Sequence, residues 1–218
     1  MIADRALTMI ILRRLSIGLL LLASISFGAG PAAIRRVNFK NFSYPWSPPS
    51  DWPSQLVWLD TSQQEHVRLV NGRWRFDAKD DEGDTPFSGL TLEAVQYADV
   101  TSDGRTDAIV LLRFDTGGTQ YSHYVYIYSF AAGKPKLLAC FHSGDRAASG
   151  LYRVYGEGEK LVVELYDPNK RDGDCCSTGF VRTRYQWHSG KFSAYGAQEF
   201  GTTKAPSRLR VNMFGIHE

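Results

Sequence analysis

Between residues 64 and 200 the chain turns on glycine again and again. Asn71-Gly72, Gly117-Gly118, Gly133, Gly156 to Lys160 and Ser189-Gly190 each separate short stretches in which apolar and polar residues alternate. A period of two puts successive side chains on opposite faces of a strand, and no stretch shows the spacing of a convincing amphipathic helix. Asn-Gly is the sharpest of these signals, because both positions tolerate the positive φ of a two-residue hairpin turn. Strand, turn, strand at this spacing predicts an all-β chain, an antiparallel meander of hairpins forming one sandwich or barrel-like domain.

Several stretches carry more detail. Val37 to Trp46 reads as an opening strand by its period of two, and Pro45, Pro48, Pro49 and Pro53 then forbid regular pairing. Trp46, Trp52 and Trp58 lie in this proline-rich region and are expected to seal one end of the core; the sharper alternative is a stacking surface for sugars or a peptide. Gln64 to Val70 and Arg73 to Phe76 read as a hairpin across Asn71-Gly72, followed by an acidic loop, Asp77 to Asp84, expected to be a solvated turn. Leu90 to Val100 alternates, with Leu90, Leu92, Ala94, Gln96 and Ala98 on one side and Thr91, Glu93, Val95, Tyr97 and Asp99 on the other. Ala108 to Phe114 is an almost continuous apolar run, as a strand buried on both faces would be. Tyr121 to Phe130 places Tyr124, Tyr126, Tyr128 and Phe130 on one face and His123, Val125 and Ile127 on the other. Pro135 to Phe141, the pair Leu151 to Tyr155 and Leu161 to Tyr166, and the pair Phe180 to Trp187 and Phe192 to Phe200 complete the run of strands.

Residues 1–32 have the make-up of a secretory signal: Arg13 and Arg14, an apolar run from Leu15 to Phe27, then small residues through Ala32. That run is shorter than the roughly 20 residues a membrane-spanning helix needs, so export without a permanent membrane span is expected, to the periplasm or outside the cell. The whole chain has 25 Lys and Arg against 23 Asp and Glu. Without Arg5, Arg13, Arg14 and Asp4 of the first 32 residues the count is 22 against 22, which gives no basis for nucleic-acid binding. Residues 33–200 suffice for one β domain, and residues 201–218 form a tail without a pattern. Three cysteines in an exported chain suggest one disulfide. A bridge from Cys140 to Cys175 or Cys176 would close a loop of about 35 residues and stabilise by about 3 to 4 kcal/mol. A bridge between the neighbours closes almost nothing and is strained. Cys140 is therefore the preferred partner on energy, with the vicinal ring left open.

One stretch implies definite chemistry. In DVTSDGRTD, residues 99–107, Asp99, Thr101, Asp103 and Asp107 carry oxygens at relative positions 1, 3, 5 and 9, with Gly104 at position 6. Hard oxygen ligands alternating along a tightly curled backbone are the front part of a calcium loop. Asp99, Thr101 and Asp103 would bind through side chains, Arg105 through its carbonyl, and Asp107 directly or through water. Position 12 is Val110 rather than a bidentate Glu, so the cage is incomplete and suits millimolar calcium. The plainer alternative is a metal-free turn in which Asp99 and Asp103 accept backbone N–H bonds.

Tyr97 to Leu111 resembles the FG-GAP and VCBS-type repeats of extracellular β-propellers: Tyr97-Ala98 replaces the Phe-Gly pair, and Asp99, Asp103, Gly104 and Asp107 match. The resemblance implies a calcium loop between two strands; because it occurs once, it leaves propeller-like blade packing open without requiring a propeller. The chain is also similar to a group of uncharacterised exported bacterial proteins that share the Asp-x-Thr-x-Asp-Gly loop and a Cys-Cys pair ahead of an Arg-Thr-x-Tyr-x-Trp strand. Here those residues are Cys175, Cys176, Arg182, Thr183, Tyr185 and Trp187. That likeness implies paired adjacent cysteines and no particular activity.

Enzyme signatures are lacking: there is no Gly-x-Ser-x-Gly elbow, no His-Glu-x-x-His and no phosphate-cradling glycine loop. His66, His123, His142, His188 and His217 are scattered. The expected function is a non-enzymatic exported β domain with a calcium-stabilised loop, acting in binding of a protein or glycan ligand or as an envelope structural or accessory part. The alternative is a secreted hydrolase whose carboxylate pair is assembled only by the fold, with Glu157, Glu159 or Glu164 joining Asp107.

Overall fold

The computed structural model describes residues 33–48, 55–76, 88–117, 121–144, 149–170 and 177–203. Residues 1–32, Trp52, the acidic loop at 77–84, Cys175, Cys176 and most of the tail, for which expectations are stated above, lie outside them.

Twelve strands are formed: β1 (Ser43–Pro45), β2 (Val57–Trp58), β3 (His66–Arg68), β4 (Arg73–Phe76), β5 (Ser88–Ala98), β6 (Asp107–Thr116), β7 (Tyr121–Ala131), β8 (Lys134–Ser143), β9 (Leu151–Glu157), β10 (Lys160–Tyr166), β11 (Gly179–His188) and β12 (Lys191–Thr202). They make three antiparallel sheets: β1-β3, a six-stranded sheet in the order β2-β8-β7-β6-β5-β4, and a four-stranded sheet in the order β12-β11-β10-β9. The all-β meander expected from the turn spacing is therefore present. None of the three sheets closes into a barrel, and no propeller arrangement is formed among the described residues.

The six-stranded sheet is buried on both faces. On one, Val110 and Leu112 of β6 and Tyr124, Tyr126 and Tyr128 of β7 pack against Ile34, Phe39, Tyr44, Trp46 and Leu69 of the N-terminal segment. On the other, Ile109, Leu111, Val125, Ile127 and Phe141 meet Leu151, Val154, Leu161, Val163 and Phe192 of the four-stranded sheet. The run Ala108 to Phe114 was expected to be buried on both sides, and Ala108 through Leu112 are buried. Truncating such a residue, Leu112 for instance, would cost about 2–5 kcal/mol. The aromatic layer is also pinned by hydroxyls: Tyr44 donates to the Phe39 carbonyl at 2.9 Å and Tyr126 to the Pro45 carbonyl at 2.9 Å.

Five expectations need correction. Val37 to Trp46 is not one strand: 3-10 turns at Ile34–Arg36 and Phe39–Asn41 precede the short β1. Burying Ile34 and Phe39 against the six-stranded sheet decides this against the alternation. Asn71 and Gly72 do turn with positive φ, 52° and 81°, and Val70 bridges Arg73, yet the flanking strands part. β3 pairs with β1, whereas β4 pairs with β5. In β5 the alternation slips: a bulge between Leu92 and Ala94 leaves Glu93 unpaired. Leu92, Val95 and Tyr97 therefore share the aromatic side while Ala94 and Ala98 face the four-stranded sheet. The tryptophans do not seal one end: Trp46 packs on the N-terminal side, and Trp58 on the other side against Phe141, Tyr185 and Phe192.

The last correction concerns the disulfide. Cys140 is a free thiol on β8, 2% exposed, enclosed on the tyrosine side of the six-stranded sheet, and burial pushes its pKa up. A thiol so enclosed is inert. No disulfide forms among the described residues.

Candidate functional site

β5 and β6 are joined by the acidic loop, with Ala98 directly opposite Asp107. The strands hold the two ends together, and the loop curls through Ser102 and Gly104, both with positive φ at 59° and 76°. The Asp99 carboxylate fills the curl. Its Oδ1 accepts the N–H groups of Thr101 at 3.2 Å and Asp103 at 3.3 Å, and its Oδ2 accepts that of Gly104 at 2.8 Å. Asp103 turns outward: it accepts the Arg105 backbone N–H at 2.9 Å and the guanidinium at 2.6 and 3.0 Å. Burial acts to raise the Asp103 pKa, but the hydrogen bonds and charge of Arg105 outweigh it and lower it.

Asp107 is different because it is fully buried. Its Oδ2 accepts the Val100 N–H at 3.1 Å and the Thr101 hydroxyl at 3.0 Å, while its Oδ1 has no hydrogen-bond partner. Burial pushes its pKa up to about 6, with the charges of Asp103 and Asp99 adding and the two hydrogen bonds opposing. The loop also leans on the β9–β10 turn, where Ser102 Oγ lies 3.5 Å from the Glu159 carbonyl. Nearby, a Cβ at Gly156 would fall 2.3 Å from that of Ala98, so only glycine permits this approach of β9 to β5.

The structure thus brings Asp99, Thr101 and Asp107 together and turns Asp103 away to Arg105. Among the described residues no group of three His, Cys, Asp or Glu side chains converges for a metal ion. A carboxylate oxygen that accepts one amide keeps a second lone pair. On that count Asp99 Oδ2, which accepts Gly104 alone, and Asp107 Oδ1 keep lone pairs, whereas Asp99 Oδ1 accepts two amides and Asp103 holds Arg105; Asp99 and Asp103 thus make the backbone bonds of the metal-free turn.

A second constellation is assembled by strand register and not by spacing along the sequence. The bulge at Glu93 places its side chain on the side of the six-stranded sheet that faces β9 and β10, beside Arg113 of β6 and His123 of β7, which stand opposite each other in register. Glu93 Oε1 accepts Arg113 Nη1 at 3.3 Å, and its Oε2 lies 3.1 Å from His123 Nε2. Arg113 Nε is held from behind by Asp115 at 2.9 Å. Glu93, Arg113 and His123 line a cavity of about 200 Å³, bounded on the opposite side by Leu151 and Tyr152 of β9 and Tyr166 of β10. Burial works to raise the Glu93 pKa, but the hydrogen bond from His123 and the charges of His123 and Arg113 outweigh it and lower it. The only local hint was a slip in the alternation of LTLEAVQYA and the charges Arg113 and Asp115 at the end of an apolar run.

Of the other acids named as hydrolase candidates, Glu164 and Glu157 are engaged in ion pairs. Glu164 is fully buried and accepts Arg182 at 2.7 Å, with Arg153 at 3.8 Å. Arg182 and Arg184 both reach Glu199, and Arg184 also pairs with Glu157 at 3.2 Å. This ladder covers Val162 on the outer side of the four-stranded sheet, where Arg184 and Tyr155 stand opposite it in register. Glu159 has no ion pair among those formed by the described residues.

Neither a family model nor a curated protein matches this chain.

Proposed function

We propose that the protein is a non-enzymatic exported β domain, acting in binding or as an accessory part of the cell envelope, whose Asp99–Asp107 loop is stabilised by calcium. The observation that carries the calcium reading is the buried, unpartnered Oδ1 of Asp107, whose other oxygen shares the Thr101 hydroxyl with Asp99. An orphaned oxygen in a desolvated carboxylate is costly, and a divalent cation offsets both the missing partner and the charge. Asp99, Thr101, Asp103, the Arg105 carbonyl and Asp107 would hold the ion. Bound there, it would tie the end of β5 to the start of β6 and brace the contact with the β9–β10 turn.

The non-enzymatic reading is supported by the state of the acids. A general acid needs a raised pKa in an accessible cleft. Glu93, which lines the cavity, is shifted down, and the raised Asp107 is fully buried. The shared apolar layer between the four- and six-stranded sheets supports a sandwich as the finer description of the fold.

Thermal melting in saturating calcium and in chelator tests the proposal. Calcium is expected to raise the midpoint by several degrees, and Asp107→Asn to abolish most of the rise. An unchanged midpoint in saturating calcium overturns the calcium site.

A further inference from the structure

We infer that the cavity between β5–β7 and β9–β10 is a binding site for a neutral sugar ring, with Glu93, Arg113 and His123 as its polar floor and Tyr121, Tyr152 and Tyr166 as its walls. The inference rests on the reading of this chain as a binding domain and is independent of calcium.

Its size comes first. At about 200 Å³, the cavity is smaller than the roughly 300–1,000 Å³ that encloses a drug-sized molecule, so a single ring is the natural occupant. Charge narrows the choice further. Glu93 in the lining and Asp115 just outside it together balance Arg113 and a protonated His123. No surplus of positive charge selects an anion, and no convergent set of acids selects a metal ion among the described residues.

The polar groups are nonetheless set in place. The Glu93 carboxylate is fixed by Arg113 and His123, and the Arg113 guanidinium by Glu93 and Asp115. The bonds within this group use Arg113 Nε and Nη1 and His123 Nε2, and a ligand would be met by Arg113 Nη2 and His123 Nδ1. A sugar hydroxyl both donates and accepts, which matches a floor of alternating acceptor and donor side chains. The walls suit the rest of such a ring. Tyr121 sits edge-on to His123 at 5.5 Å, and Tyr152 packs on Tyr166 at 5.2 Å. Tyr152 is stacked on Phe180 and carries Arg153 over its ring, so it meets the cavity as an apolar wall, and Tyr121 adds a second aromatic surface against which the C–H face of a pyranose would pack.

The bulge completes the floor of the site. Arg113 and His123 reach the inter-sheet side by the regular alternation of β6 and β7, and the extra residue in β5 adds Glu93 beside them. Bulges recur where a side chain is re-aimed toward a site.

The test is NMR titration of the isotope-labelled full chain with glucose, galactose and N-acetylglucosamine at tens of millimolar, with glucuronate and inorganic phosphate as comparisons. At least one neutral sugar is expected to shift the amides around Glu93, Arg113 and His123 to saturation. Glu93→Gln should weaken that binding about tenfold to a hundredfold, the loss of one charge-assisted hydrogen bond. Tyr121→Phe keeps the ring, should weaken it less, and reads the same site if Glu93→Gln fails to fold. Absence of any shift with all three neutral sugars overturns the inference, as does tighter binding of glucuronate or phosphate at these amides. Calcium melts on the same samples separate the two claims. Lost sugar binding with an intact calcium shift overturns only this site, and sugar binding without a calcium shift overturns only the calcium site.

Discussion

Two carboxylates of the β5–β6 hairpin, Asp107 and Glu93, are shifted in opposite directions, and their partners explain why. Asp107 is surrounded by neutral dipoles and by the like charges of Asp99 and Asp103, so burial wins and its pKa rises to about 6. Glu93 is met by Arg113 and His123, and their charges outweigh its burial. The acidic loop therefore carries an uncompensated charge on a local turn, whereas the cavity carries a compensated one assembled from three strands. The first is a place that a cation would relieve; the second is a rigid polar surface that needs no ion.

The largest expected effect bears on Asp107 in chelator. Its folded pKa of about 6 lies above the ordinary 3.8, so the folded chain binds this proton more tightly than the unfolded chain does. Stability from this group should rise as pH falls from about 7 toward 4, and the cost at neutral pH has an upper bound of about 3 kcal/mol. Glu93 has the opposite sign: its lowered folded pKa contributes stability that is present at neutral pH and lost as pH falls below the ordinary Glu value through the folded one. Chelator melts across this range on Asp107→Asn and Glu93→Gln separate the two. The Asp107 variant should lose the acid-side gain, and an unchanged pH profile would break the comparison.

A smaller effect is expected at Asp99, whose two oxygens take three loop amides. Asp99→Ala should cost about 1–3 kcal/mol by denaturant melting even without metal, and Asp99→Asn less, since it keeps one acceptor. Equal losses would mean that charge rather than amide bonding holds the curl. The smallest belongs to the cavity: Arg113→Ala should lower stability by about 1 kcal/mol or less, because its two ion pairs are partly exposed at 39% for the arginine. A markedly larger loss would mean that the cavity floor is a structural strut.

Much of this was legible in the chain. The strands from β5 to β12 follow the turn glycines closely, and the alternation of Tyr121 to Phe130 sorts its residues onto the two faces that they occupy. The acidic loop sits between the two strands it was expected to join. What escaped were decisions taken elsewhere in the fold. Ile34 and Phe39 follow the demands of a distant apolar face, so the opening stretch coils into 3-10 turns. Cys140 is committed to a tyrosine layer, which removes it from any bridge. His123 looked like one of five scattered histidines until register put it opposite Arg113.

By itself, the order of residues determined the class of structure, the hairpins and the place of the acidic loop, because period-two patterning, glycine turns and carboxylate spacing act over a few neighbouring residues. Tertiary structure alone decided that β3 leaves its hairpin partner, that Glu93 is squeezed from the ladder into a cavity, and that Asp107 is sealed with an oxygen unanswered. Those outcomes depend on which surfaces must be buried together, and burial is settled between strands far apart in the chain.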